Sequence, residues 1–210
     1  GRELEKVQSV CEEIDSKRTK AFAADLSNPE QAIELVKSVF NHFGRLDGLV
    51  NNAGSGRAVA FRGLKLDAWR ATQALNLESA FIACQEAYKL IRKAKTGSIV
   101  NMASLAAHGP GNMMGADYAA SKAGLVSITR TLALEAARFG IRCNAVSPGI
   151  VETDMAEGMT DEMIAKMAIP LNRLATCKDV ANVTAFLLSS DAVYLTGQVT
   201  HVDGGQFIYG

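Results

Sequence analysis

Charge of one sign is what this sequence most plainly lacks: 22 Lys and Arg are balanced by 22 Asp and Glu, a formal net charge of zero over 210 residues. Recognition of nucleic acid through bulk charge is excluded on that count. Cysteine is scarce as well. Cys11, Cys84, Cys143 and Cys177 stand at least 34 residues apart, with no CxxC pair and no His at metal-ligand spacing. Neither a disulfide framework nor a metal site is expected, and the four read as reduced, buried thiols. No run of about 18 apolar residues occurs. The opening Gly1-Arg2-Glu3-Leu4-Glu5-Lys6 is a charged helical start rather than a signal peptide. The expected compartment is the cytoplasm, with no membrane partner. Only 4 prolines occur and no Gly/Ser-rich linker divides the chain, so residues 1–210 read as one domain.

What is present is an ordinary globular composition, 48% hydrophobic and 21% charged, enough to bury a core. Leu4, Val7, Val10, Cys11 and Ile14 recur at helical spacing and predict an amphipathic helix that packs one face. A short apolar run over residues 21–24 predicts a strand, followed by a helix over 30–43 with Ser27 or Asn28 as its cap, Pro29 at its first position and Gly44 as its stop. Strands are expected over 46–50, 98–102, 141–146 and 198–202. Long helices are expected over 67–94 and 116–139, a helical turn near 160–167, and a helix over 180–188. Strands that alternate with helices of this length mean right-handed crossovers and a parallel sheet covered on both faces, the doubly wound α/β class.

Such sheets bind ligands beyond the carboxyl ends of their strands. The tips here are Asp25, then Asn51-Asn52-Ala53-Gly54, Ala103-Ser104, Ser147-Pro148-Gly149 and Asp203-Gly204-Gly205. Small residues let a ligand approach the backbone closely. The second long helix opens with Tyr118-Ala119-Ala120-Ser121-Lys122, a phenol and an ammonium four residues apart and therefore on one face. For tyrosine to act as a base near neutrality its pKa must fall roughly three units, about 4 kcal/mol of preferential phenolate stabilisation. A neighbouring lysine supplies part of that, a cationic cofactor ring more, and a hydroxyl such as Ser104 can hold the reacting oxygen.

Asn51-Asn52-Ala53-Gly54, Asn76, Ser104, Tyr118 with Lys122, Ser147-Pro148-Gly149 with Thr153, and Asp203-Gly204-Gly205 together resemble the short-chain dehydrogenase/reductase family, over nearly the whole chain. The resemblance implies a Rossmann-like single domain that moves hydride between a nicotinamide cofactor, NADP or NAD, and a carbonyl or secondary alcohol. It implies that Tyr118 is the general acid/base, that Lys122 lowers its pKa and holds the nicotinamide ribose, that Ser104 orients the carbonyl and that Asn76 positions a water in the proton relay. It implies that Asp25 and Leu26 meet the adenine, that Asn52, Ala53 and Gly54 pass the ribose, and that Pro148, Gly149, Ile150 and Thr153 anchor the carboxamide. The long helices match those through which family members form homotetramers. Residues 149–155, 169–173 and 195–199 resemble the 3-oxoacyl-acyl-carrier-protein reductase branch, whereas residues 55–61 do not. Family branches acting on sugars, steroids or other alcohols share much of the rest.

Two departures from the family pattern matter. Ser104 stands fourteen residues before Tyr118, one more than usual, which predicts an insertion containing Gly109-Pro110-Gly111. No TGxxxGxG phosphate loop occurs, and the first strand-helix-strand unit of the fold has no counterpart. The sequence is therefore expected to be an N-terminally incomplete piece of a longer protein, lacking roughly 30 or more residues. The strands over 21–24 and 46–50 are then expected to lose ladder partners. A catalytically silent fragment or a dinucleotide-binding regulator is the reading of another class. The choice between NAD and NADP is normally read at the end of the strand that is missing.

Other features have plainer readings. Gly54-Ser55-Gly56 and Gly109-Pro110-Gly111 are expected as turns. His108 suggests no hydrolase, since the sequence contains no GxSxG elbow. His42 and His201 are expected to be structural or exposed. Met155, Met159, Met163 and Met167 form a stripe at spacing four, read first as packing and second as an adaptable lid over an apolar substrate.

Overall fold

The computed structural model describes residues 1–15, 17–109, 114–153, 156 and 160–208. Helix α1 spans Leu4–Ile14 and α2 Pro29–Phe43. Strand β1, Gly48–Asn51, is followed by α3, Leu66–Gln73, a π-helical turn over Ala74–Glu78, and α4, Ser79–Ile91. Then come β2 (Gly97–Met102), α5 (Ala116–Ala136), β3 (Ile141–Pro148), α6 (Asp161–Lys166), α7 (Cys177–Leu188) and β4 (Val199–Val202).

The ends of α2 follow from its sequence. Asn28 Oδ1 accepts from Gln31 N at 3.0 Å, Pro29 occupies the first turn, and Gly44 closes the helix in the left-handed region with its N–H on Phe40 O at 2.8 Å. Crossing helices of this kind enforce parallel pairing, and the four strands run parallel in the order β1-β2-β3-β4.

The pleat sends successive residues to opposite faces. Ile99, Ile141 and Cys143 pack under Ala83, Ala87 and Ile91 of α4 and Ala133 and Ala136 of α5, with Val36 of α2 at the margin. Val100 and Val146 face the other way, onto Leu187 of α7 and Ala192. Each fully buried Ile or Leu contributes about 2 kcal/mol of transfer free energy. The doubly wound α/β class is thus observed, with one layer of helices on each side of the sheet.

Three expectations require correction. Residues 21–24 form no regular element and belong to no ladder; the Ala24 N–H bonds Gly1 O instead. A strand is defined by its neighbour, and among the described residues none stands beside this segment. The outer edge of β1 is likewise unpaired among the described residues. It opens on a groove of about 240 Å³ lined by Leu26, Val36, Leu49, Ala53, Ala80 and Ala83, among others. Helix α1 forms but buries no residue fully: Val7 and Cys11 are half-buried and Ile14 is 69% exposed. The first long helix is not one α-helix: the π turn interrupts it at Asn76, and it ends at Ile91.

Candidate active site

Three amide and hydroxyl groups, those of Asn101 and Thr129 fully buried and that of Asn51 half-buried, set the helix that carries the site. Asn101 of β2 accepts from Asn51 Nδ2 at 2.8 Å and donates to Thr129 Oγ1 at 2.8 Å, and Thr129 donates to Leu125 O at 2.7 Å. Burying these groups unpaired would be costly, so the chain of bonds fixes α5 against the tips of β1 and β2. Asn101 and Thr129 were not among the residues singled out from sequence; a lone amide inside the apolar run of β2 was the available signal.

Tyr118 and Lys122 lie one turn apart in α5, with the ammonium 5.6 Å from the centre of the phenol ring. Lys122 is 4% exposed, and its Nζ donates to Met102 O, at the end of β2, at 2.7 Å. Burial lowers its pKa to about 8. Ser104 caps the short helical turn Leu105–Ala107, accepting from Ala106 N at 3.2 Å, and its hydroxyl lies near enough to the Tyr118 phenol to influence its titration. Burial raises the phenol above its ordinary value near 10, and the Ser104 hydroxyl acts in the opposite direction. Of the two, burial is the larger effect, because it takes the phenolate out of water.

The π turn brings Asn76 to the same place. Its Oδ1 accepts from Ser55 N at 2.9 Å, and its Nδ2 donates to Ser55 O at 2.8 Å and Ser121 Oγ at 3.2 Å. A widened turn of this sort re-aims one side chain within an otherwise regular helix. Asn76, Ser104, Tyr118 and Lys122 therefore converge at the carboxyl end of the sheet, where open α/β folds hold their ligands.

The remaining expected residues divide into groups. Gly54 belongs with the cluster: a Cβ there would lie 3.2 Å from Asn76 Oδ1 and 3.4 Å from Lys122 Nζ. Leu26, Asn52 and Ala53 line the groove beside β1. The Asp25 carboxylate is held by the backbone and hydroxyl of Ser27, at 3.0 and 2.7 Å, which lower its pKa. Pro148 ends β3; Gly149 N donates to Val202 O and Ile150 O accepts from Ala175 N, both at 3.0 Å. Thr153 is exposed, and its hydroxyl donates to Val151 O at 3.3 Å. His108, His201 and Phe207 stack as a ring cluster, with His108 Nε2 2.9 Å from the buried Ser147 hydroxyl. His201 is thus a packing residue. Met155, Met159, Asp154, Pro110 and Gly111 lie outside the described residues. Cys84 and Cys143 are buried as expected, while Cys11 is half-buried and Cys177 is exposed because it opens α7 at the surface.

The donors present fit the nicotinamide-ribose end of a dinucleotide. Lys122 has one hydrogen-bond acceptor among the described residues and three protons to give, and the bare Gly54 backbone beside it leaves a shelf on which a ribose diol can reach those protons.

Residues 1–206 match the family model described as enoyl-(acyl carrier protein) reductase. The chain is 38% identical over 208 residues to the 3-oxoacyl-[acyl-carrier-protein] reductase FabG of Staphylococcus aureus, covering 97% of this chain and 84% of that protein. It is 38% identical over 204 residues to the 3-oxoacyl-[acyl-carrier-protein] reductase of Synechocystis, covering 96% and 82%. Among solved structures, one described as a short-chain alcohol dehydrogenase from Sinorhizobium meliloti superposes with a TM-score of 0.92 at 32% identity, covering 98% of this chain and 84% of that one. ElxO with NADP bound superposes with a TM-score of 0.90 at 28% identity, covering 98% and 86%. A match of this length, on a sheet whose tips bring a serine, a tyrosine and a lysine together, means that the chain belongs to the short-chain dehydrogenase/reductase family and is an NAD(P)-dependent oxidoreductase.

Proposed function

We propose that this protein reduces the keto group of a 3-oxoacyl thioester to the secondary alcohol, with NADP as its cofactor. The observation that carries the reading is the convergence of the Tyr118 phenol, the Ser104 hydroxyl and the buried Lys122 ammonium beyond the end of β2. The thioester class is supported by the two acyl-carrier-protein reductases at 38% identity, and NADP by its presence in ElxO.

When bound, the cofactor supplies the hydride. The chain's own residues manage the oxygen and the proton. Ser104 Oγ and the Tyr118 hydroxyl bracket the carbonyl oxygen, and the phenol gives that oxygen its proton as the alcohol forms. A phenol raised by burial is fully protonated at neutral pH, the form an acid needs. Lys122, charged below about 8, stabilises the phenolate left behind and holds the ribose. Asn76, fixed by Ser55 and Ser121, orients the relay water that restores the proton. Asp25 and Leu26 serve the adenine, Asn52, Ala53 and Gly54 the ribose, and Pro148, Gly149, Ile150 and Thr153 the carboxamide.

Arg57 and Arg62, both exposed on the segment after β1, suit an acyl chain delivered by an acidic carrier. The four free thiols fit the reducing cytoplasm. Exposed Phe81 on α4 and Leu134 on α5 support a homotetramer built on those helices.

Initial rates with NADPH and NADH across 3-oxoacyl thioesters, sugars and simple ketones test the proposal. The thioesters with NADPH should give the highest kcat/KM. Tyr118→Phe should abolish turnover while cofactor binding persists; a variant that turns over normally sinks the assignment of the acid. Preference for a sugar or a plain ketone replaces the substrate class, and an intact chain that never turns over favours the silent reading.

A further inference from the structure

Asp117 is a carboxylate that the chemistry above leaves unused, and it lies one residue before Tyr118. It is 1% exposed. Its Oδ2 accepts a 2.6 Å hydrogen bond from Thr72 Oγ1, while Oδ1 is buried without a hydrogen-bond partner among the described residues. Its main-chain oxygen accepts from Gln73 Nε2 at 2.8 Å. A buried carboxyl with one oxygen unpaired is costly to fold around, and an apolar side chain of similar shape would avoid that cost.

What the group does is fasten two elements together at one place. Thr72 and Gln73 end α3, and the residue after them opens the π turn that carries Asn76. Asn76 Nδ2 donates to Ser121 Oγ, which donates in turn to the main-chain oxygen of Tyr118 at 2.7 Å. The segment 72–76 is therefore tied to α5 on both sides of the phenol, by Asp117 before it and Ser121 after it. The loop following β1 joins at the same point, through Gly115 N on Arg57 O at 2.9 Å. A side chain at Gly115 would collide with Asp117 Oδ1, so the carboxyl occupies the room that residue leaves.

We propose that Asp117 is a positioning residue whose carboxyl, held by Thr72, sets where the Tyr118 phenol stands relative to Asn76 and Ser104. This rests on the reading of Tyr118 as the acid, and it deepens that reading by naming what aims the acid. A fixed phenol shortens the search for the reacting geometry, and a misplacement of about 1 Å costs up to about a hundredfold in rate.

The test compares Asp117→Leu and Asp117→Asn in protein carrying ring-¹³C tyrosine, with the Tyr118 resonance identified by its loss in Tyr118→Phe. Asp117→Leu should move that resonance and its titration midpoint. It should lower kcat by about tenfold to a hundredfold, with cofactor Kd unchanged and the melting temperature equal or higher. Asp117→Asn keeps an acceptor for Thr72 and should match the native protein in all five. An unmoved resonance in Asp117→Leu overturns the proposal, and so does an Asp117→Asn as impaired as the leucine variant. If the leucine variant does not fold, Thr72→Val removes the donor and carries the same readouts. The resonance needs no turnover, so a Tyr118→Phe that keeps native activity sinks the proposed reaction while the positioning claim is still decided.

Discussion

Lys122 holds its charge where charge is penalised. Its pKa falls from 10.5 to about 8, and burial is the cause. Below about 8 the folded and unfolded chains both keep the proton, and the folded chain bears the whole cost, about 3 kcal/mol. Between about 8 and 10.5 the folded chain releases the proton while the unfolded chain retains it, so this group's contribution to stability rises with pH across that window. Lys122→Met should be more stable than the native protein at pH 7, with an advantage that shrinks as the pH approaches 10, read by denaturant melts at several pH values. The same variant should be inactive. For the native enzyme, kcat/KM for reduction should fall through an apparent pKa near 8 as the ammonium is lost, and a flat pH–rate profile to 10 would contradict that role. These residues were legible because residue type and helical spacing alone name them. Asp117 and Thr72 were not, since a carboxylate in the first turn of a helix looks like an ordinary dipole partner until its burial is seen.

Helix α7 shows how local chemistry fixes an element. Thr176 Oγ1 accepts from Asp179 N at 3.2 Å, and Asp179 Oδ2 accepts from Thr176 N at 2.8 Å, a reciprocal capping box. Arg173 adds a pair of bonds to the same carboxylate and, with Thr176, drives its pKa well below the usual range. Thr176→Ala should cost about 1 kcal/mol of stability, measured by chemical denaturation, while kcat changes little. Caps of this kind were readable at α2, where Asn28, Pro29 and Gly44 stand in sequence as they do in space. At α7 the helix was expected three residues late, because its first turn is polar and apolar spacing begins only at Val180. The π turn in the first long helix was invisible to periodicity: one extra residue per turn over Ala74–Glu78 hardly disturbs a pattern read over eighteen.

At the scale of the molecule, two large apolar side chains of the helical layer stand in solvent, Leu134 of α5 at 85% exposure and Phe81 of α4 at 48%. If the homotetramer proposed above is built on these helices, Leu134→Glu combined with Phe81→Glu should convert it to smaller species in sedimentation velocity; a native protein that sediments as a monomer would end that expectation. The parallel order of the strands was legible from their alternation with helices, and so were their tips. Over residues 21–24 the apolar run alone read as a strand, and only the missing phosphate-loop unit warned that its ladder partner would be absent.

The bond chain from Asn51 through Asn101 to Thr129 has a consequence of its own. An apolar side chain at Asn101 leaves the Asn51 amide and the Thr129 hydroxyl without their partner, so Asn101→Leu should loosen α5 from the sheet, and amide hydrogen exchange along that helix should quicken.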